Sequence, residues 1–482
     1  MSLVRDTVRG ALWTILAGVG SRAFGLVGTL IVTHYVSPGD YGEVAVAAVL
    51  VMTASQLSTV GLGQYLVSKP DAPPSAAFVA NLIHVSFGVV ALGTLLVLGQ
   101  RLAPALDAPG MTRFLAGLCF AALLERASFV PERLLARDLR FGSIGVIRTV
   151  ADVAHTTTCI ALAMGGLGAA ALVWGNVVRA ALRLVLAGGA VGGRAFLTPR
   201  RPEPGLMREL FGFALPIALG SLAGFASRRW DNLLVSRFFG PAVTGTYNLA
   251  YNLADVPAIH VGEQIGDVLL PSFARLNQER RPAALVRALG LLALLVFPMA
   301  IGLGVVAPTL VSVLFDPLWQ PVAPMLVVLS LLSMTRPVSW VVASYVQALG
   351  RTLPLMWLEL AKLALLVTGL IGFGRASPLT TCAVVVVAYA VHALASLALV
   401  AKLDRVPLLG SLGSLAPAAA SSLPLVAAVL AVRSALGAPS ALSLCAEIAA
   451  GALVYAASAR LFARGAVRDL LGRLREALAR EP

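Results

Sequence analysis

The chain has 482 residues, of which 58% are hydrophobic and only 12% charged, and its mean hydropathy is +0.87. A soluble domain carries about 25% charged residues because water must solvate its surface. This composition therefore excludes a soluble globular protein and describes an integral membrane protein. The net charge of +14 would by sign alone suit nucleic acid, but its distribution along the chain excludes that.

A helix needs about 20 apolar residues to cross the hydrocarbon core. Fourteen stretches qualify, at about 9–36, 41–67, 76–100, 111–130, 141–163, 167–190, 207–238, 244–270, 284–306, 321–348, 352–374, 377–400, 414–433 and 440–462. Runs this long and continuous are helices rather than barrel strands. The first follows Arg5 and Arg9 but is too long for the core of a secretory signal, so it is expected to remain as an uncleaved span. The fourth ends in Glu125 and Arg126, and the thirteenth is short and rich in small residues. With the N-terminus inside, 24 of the 37 Lys and Arg fall in inner loops and termini, against Arg101, Arg113, Arg375 and Arg433 outside. Such a bias places both termini in the cytoplasm, and the basic excess is chiefly a topology signal.

The first six spans resemble the next six in order and spacing. THYVSPGDYGEVAVAAVL (33–50) answers to SRFFGPAVTGTYNLAYNL (236–253) at an offset of 203, pairing Pro38 with Pro241 and Gly42 with Gly245. More loosely, RFGSIGVIRTV (140–150) answers to RTLPLMWLELA (351–361) at an offset of 211. The segment 191–206, rich in Gly, Pro and Arg, divides the copies. The expected organisation is 1–204 as an N-terminal lobe, 205–403 as a C-terminal lobe, and 404–482 as two extra spans with a basic cytoplasmic tail. Duplicated membrane units of this kind are a common build for alternating-access transporters. The leucines of the tail, RGAVRDLLGRLREALAREP, fall at helical spacing, which suits either a helix lying on the inner leaflet or a solvated basic segment.

Catalytic patterns are missing. The chain has no GxSxG, Walker loop, HExxH or GxGxxG after a strand, so no catalytic residue is assigned and coupling to ATP within the chain is not expected. Cys119, Cys159, Cys382 and Cys445 are scattered singly through spans, without CxxC spacing, and are expected as small buried hydrophobes; no metal site is expected.

Several blocks carry a family likeness: GALWTILAGVGSRAFGLVGTLIVTHYVSPGDYG, VAVAAVLVMTASQLSTVGLGQYLV, RASFVPERLLARDLRFGSIGVIRTVADV, and ELFGFALPIALGSLAGFASRRWDNLLVSRFFGPAVTGTYNLAYNLADVP. Together, over roughly 5–465, they resemble the polysaccharide-transporter branch (Wzx-like oligosaccharide flippases) of the multidrug/oligosaccharidyl-lipid/polysaccharide flippase superfamily. The resemblance implies an all-α fold of two six-helix lobes in a V around a central polar cavity. It also implies translocation of undecaprenyl-pyrophosphate-linked oligosaccharide across a bacterial inner membrane, for O-antigen, exopolysaccharide or capsule. Polysaccharide polymerase and chain-length machinery would then be partners. A multidrug or cation antiporter and a lipid II flippase share the architecture and stay open as alternatives. A membrane-embedded glycan polymerase is remote, because no large outer loop is present to carry its chemistry.

Charges inside the spans mark the candidate sites, since one at a helix centre costs about 2.5–3.5 kcal/mol on insertion scales. Arg22 lies mid-span in the first helix, and Arg228, Arg229 and Asp231 cluster in the seventh; at the 203 offset Arg228 falls on Gly25, one turn from Arg22. Opposed cations suit a diphosphate, because guanidinium groups bind phosphate oxygens bidentately. Arg22, Arg228 and Arg229 are therefore assigned to head-group binding, with snorkelling or pairing to Asp231 as the alternative. Arg336, just before Pro337 in the tenth span, is assigned to substrate or else to carbonyls that the proline frees. Arg148 and Asp152 (i, i+4) and Glu359 and Lys362 (i, i+3) are expected as ion pairs lining a lumen or gating it. Proton or sodium coupling is expected at Asp255, with Asp231 and Glu263 as further candidates. His34, His84 and His392 are expected to be isolated packing residues.

Overall fold

The computed structural model describes residues 20, 24–58, 66, 74–138, 140–199, 206–259, 264–351, 353–468 and 472, and the side chains of these except 74, 206–221, 264–268 and 271. Among the described residues every regular element is helical, and ten helices are long and apolar enough to cross a membrane. The chain divides into two compact units, Met1–Gly245 and Thr246–Pro482.

The first unit begins with a capped helix. Ser37 accepts a hydrogen bond from the Asp40 amide at 3.1 Å and Pro38 opens the first turn, so α1 (Pro38–Leu57) starts at the predicted turn. There follow α2 (Pro74–Ala105), α3 (Thr112–Arg137), α4 (Phe141–Leu162) and α5 (Ala170–Val191). The next helix, α6 (Leu206–Pro257), is bent at Gly240, whose φ of 77° suits glycine and breaks the helical path. Val46, Leu50, Leu92, Leu115, Leu118 and Val173 form the main core of this unit. Helices approach closely where side chains are small: a Cβ on Gly117 would run into Val173, and one on Gly175 into Cys159.

The two similar segments 33–50 and 236–253 meet inside this unit. A Cβ on Gly42 would strike the Pro241 carbonyl, and a Cβ on Gly245 would strike the Pro38 carbonyl. The Pro38–Gly42 and Pro241–Gly245 segments thus pack reciprocally, each glycine lying against the proline carbonyl of the other segment.

The second unit contains the end of α6, then α7 (Gln264–Arg275), α8 (Arg281–Leu314), α9 (Val322–Leu329), α10 (Leu332–Ala348), α11 (Leu353–Gly372), α12 (Pro378–Asp404), α13 (Leu408–Leu436) and α14 (Ala441–Phe462). Its core joins α8, α10 and α12 through Leu285, Leu289, Leu292, Val341, Tyr345 and Leu397. Caps again start helices at the turns. Ser377 accepts from the Thr380 amide at 3.1 Å, and Ser440 and Ser443 form a reciprocal capping box at the head of α14.

Several elements differ from the sequence-based expectation. Helix α3 runs on to Arg137, past the expected end of the fourth span near 130, so Arg126 lies well within it. The seventh and eighth spans share one helix up to Pro257, because the bend at Gly240 redirects the chain without ending it. The boundary between the compact units falls within α6. Cys119, Cys159 and Cys382 are buried but Cys445 is exposed, since it sits on the outward side of α14. The first span as far as residue 19, Glu263 and the last ten residues of the tail lie outside the described residues.

Candidate substrate and coupling site

In the second unit, four helices bring charged side chains together at bilayer depth. Asp255, near the end of α6, forms an ion pair with Arg336 of α10. The Arg336 guanidinium also lies over the rings of Tyr251, at 5.6 Å, and Tyr389, at 5.1 Å. On the same Tyr389 ring sits the Lys362 ammonium of α11, 5.0 Å from the centroid. Lys362 Nζ is 2.6 Å from Glu359 Oε2, and the other Glu359 oxygen is 3.4 Å from His392 Nε2 of α12. Arg336, Lys362 and His392 have side chains only 3%, 6% and 6% exposed.

Local sequence explains this convergence. Tyr251 and Asp255 are i and i+4 on α6, Glu359 and Lys362 are i and i+3 on α11, and Tyr389 and His392 are i and i+3 on α12. Each helix therefore presents two groups on one face. Buried charges persist where each is paired and the remaining polar atoms are engaged, and the ring faces add cation–π attraction worth about 2 kcal/mol when desolvated.

The first unit carries its intramembrane charges differently. Arg148 of α4 pairs with Glu132 of α3 at 3.0 Å, and Arg183 of α5 pairs with Glu125 of α3 at 3.2 Å. Arg179 donates to Asn176 at 2.7 Å. Arg148 and Glu125 are more than half exposed; at that depth such groups belong on a wetted surface, not against acyl chains. Arg126 is buried and donates to the His84 carbonyl at 2.8 Å, to the Ser55 carbonyl and to the Ser58 hydroxyl, tying α1, α2 and α3 together.

The expected site residues are thus distributed unevenly. The structure brings Asp255, Arg336, Glu359 and Lys362 into one cluster. Arg336 engages a carboxylate and two rings instead of carbonyls freed by Pro337, because α6 places Asp255 within its reach. Arg148 turns to Glu132 on the neighbouring helix instead of to Asp152, since α3 offers a carboxylate that is only 13% exposed. Arg228 is exposed and has no ion-pair partner among the described residues, and Arg229 is half-buried. Beside them the Trp230 indole donates to Thr53 at 3.2 Å. Asp231 is buried and accepts hydrogen bonds from the Asn232 amide and side chain at 2.9 and 3.1 Å. Arg22 and Glu263 lie outside the described residues. His392 is no isolated packing residue, whereas His84 stacks on Phe129 at 4.3 Å.

Sequence reasoning missed the pairing of Glu125, Glu132 and Arg183 because their partners lie on other helices. It also placed Arg433 in an outer loop. Arg433 instead ends α13 in a fork to Glu447 of α14, at 2.8 and 3.2 Å, and Thr309 of α8 donates to the same Glu447 at 2.7 Å.

A model of the family described as "Polysaccharide biosynthesis protein" matches residues 31–324. The chain is 25% identical to the lipopolysaccharide biosynthesis protein WzxC of Escherichia coli (strain K12) over 359 residues, 73% of this chain and 72% of the relative. It is 27% identical to the succinoglycan biosynthesis transport protein ExoT of Rhizobium meliloti (strain 1021) over 379 residues, 77% and 74% of the two chains. Among solved structures it shares the fold of the lipid II flippase MurJ in an inward closed conformation, with a TM-score of 0.74 at 13% identity, over 95% of this chain and 100% of that one. It also shares the fold of an inward-facing multidrug resistance MATE family transporter, with a TM-score of 0.63 at 13% identity, over 81% and 96%.

Proposed function

The chain belongs to the polysaccharide biosynthesis protein family, and on that premise we propose that it is a flippase for undecaprenyl-pyrophosphate-linked oligosaccharide. The observation that carries this reading is a cation without a counter-ion: Arg228 stands exposed without a carboxylate partner among the described residues, beside the half-buried Arg229. A guanidinium at that depth is costly unless water or an anion meets it, and a lipid pyrophosphate head is such an anion. Relatives that act in lipopolysaccharide and succinoglycan biosynthesis support the glycan class.

The working arrangement is two six-helix lobes with two further helices, the chain spanning a bacterial inner membrane with both termini in the cytoplasm. The head enters a basic lumen from the cytoplasmic side while the polyprenyl chain stays in lipid, and rocking of the lobes carries the head outward. The chain's own residues bind and orient; no bond is made or broken. Coupling to a proton or sodium gradient draws on the Asp255 and Glu359 cluster, and polymerase and chain-length proteins take up the product.

The test is a deletion strain in which polymer synthesis is otherwise intact. Lipid-linked glycan should accumulate on the cytoplasmic face and be cleared by the wild-type chain but not by Arg22→Ala or Arg228→Ala. Rescue by both variants would remove these arginines from the head-group site and keep the flippase. Normal glycan sidedness with new drug sensitivity would move the chain to the antiporter class.

A further inference from the structure

The carboxylate of Glu359 is shared. Its Oε2 is 2.6 Å from Lys362 Nζ and its Oε1 is 3.4 Å from His392 Nε2. The contact to Glu359 assigns the imidazole N–H to Nε2, and this leaves Nδ1 as an acceptor. Nδ1 is buried and has no hydrogen-bond partner, so its lone pair is open to a proton.

The surrounding charges are already balanced. Asp255 is matched by Arg336 and Glu359 by Lys362, so with a neutral His392 the cluster has no net charge. A metal cation entering here would displace Lys362 or Arg336 from a carboxylate that each already holds. A proton needs no such displacement. Of α11, Glu359 faces His392 and Lys362 holds the same carboxylate; α10 carries Arg336, on Asp255, and Tyr345, on Asp404. Helix α9 offers no titratable side chain, α13 offers Arg433 held by Glu447, and the turn 374–376 offers Arg375. Tyr389, Lys402 and Asp404 lie on α12 itself, and Tyr251 and Asp255 lie beyond Arg336 on α6. Of these side-chain types only histidine ordinarily changes charge between about pH 5 and 8.

We propose that His392 is the proton-binding residue of the second unit, and that its protonation draws Glu359 away from Lys362 and frees the ammonium for the phosphate of an anionic lipid head. This rests on the flippase reading and deepens it by naming the coupling ion and a conditional substrate ligand. The proton comes from water and goes to Nδ1, and no other covalent bond changes. The imidazolium then holds Glu359 through a charge-assisted hydrogen bond, stronger than the neutral contact. Lys362, released toward the cluster's open side where Glu359 is 31% exposed, becomes a point charge that binds phosphate.

The experiment measures binding of farnesyl pyrophosphate to the purified full chain in nanodiscs, at about pH 5.5 and about pH 8, in sodium and in choline buffers. Wild type should bind roughly tenfold tighter at the lower pH, a usual size for coupled sites, with no dependence on sodium. His392→Gln, which also corrects for the probe's own titration, should stay at the weak value at both pH values, as should Lys362→Met. Glu359→Gln, which frees Lys362 permanently, should bind tightly at both, so the proposal stays testable even where the histidine variant misfolds. Full pH dependence in His392→Gln, tight low-pH binding in Lys362→Met, or a sodium requirement would each overturn it. Binding by wild type without pH dependence sinks this inference alone, whereas no binding at either pH sinks the head-group reading beneath it.

Discussion

The two units hold charge at bilayer depth in opposite ways. In the first, Arg148–Glu132 and Arg183–Glu125 are single pairs with one partner more than half exposed. In the second, Asp255, Arg336, Lys362, Glu359 and His392 share partners and rings across four helices, and the cations are nearly closed off. Exposed pairs can exchange partners with water or ligand at little cost, because their attraction is screened. A buried network can move only as a whole, because any group left behind is a bare charge in low dielectric. The first unit thus offers a surface suited to changing contacts and the second a cluster suited to holding a defined state.

Breaking the second unit should cost most. Arg336→Ala leaves Asp255 buried without its cation and should lower stability by about 3–5 kcal/mol. Thermal unfolding in detergent measures this, and the double change Arg336→Leu with Asp255→Leu should regain much of the loss. A smaller loss, about 1.5–3 kcal/mol, is expected for Glu447→Gln, which weakens the fork to Arg433 and the bond from Thr309. Gly42→Ala forces a Cβ into the Pro241 carbonyl and should cost about 1–3 kcal/mol through backbone displacement; an unchanged melting temperature would refute the reciprocal glycine contact. Least affected should be Arg148→Ala, below about 1 kcal/mol, since that pair is half exposed. Glycan sidedness is its sharper readout, and an effect on flipping without one on melting would mark the first unit as the surface of changing contacts.

How much was legible in the sequence follows the same line. Helices announced themselves by apolar length, because the demand that lipid makes on a spanning segment is local. The Glu359–Lys362 contact was equally local. Its partner His392 was not, for that meeting depends on how α11 packs on α12. Arg336 was singled out by its cost in lipid, but its carboxylate lies 81 positions away on α6, beyond any spacing rule. Arg148 misled because a carboxylate stood at i+4, while its partner Glu132 stood on the neighbouring helix. Hidden too was the reciprocity of Gly42 and Gly245. The repeat matched them as equivalents, but equivalence does not say that two copies touch.

The fork between Arg433 and Glu447 bears on how the chain is made. Helix α13 leaves the ribosome first and carries Arg433 in its last turn, where the long side chain can reach the interface unaided. Glu447 comes later and lies about 10 Å into α14 at 1.5 Å per residue, a depth at which a lone carboxylate resists insertion. By then its cation is already in place, and Thr309 of α8 waits beside it. The entry of α14 into the membrane therefore depends on helices made before it, and Arg433→Leu, which removes the waiting cation, should hinder that entry even though the sequence of α14 is apolar enough to insert.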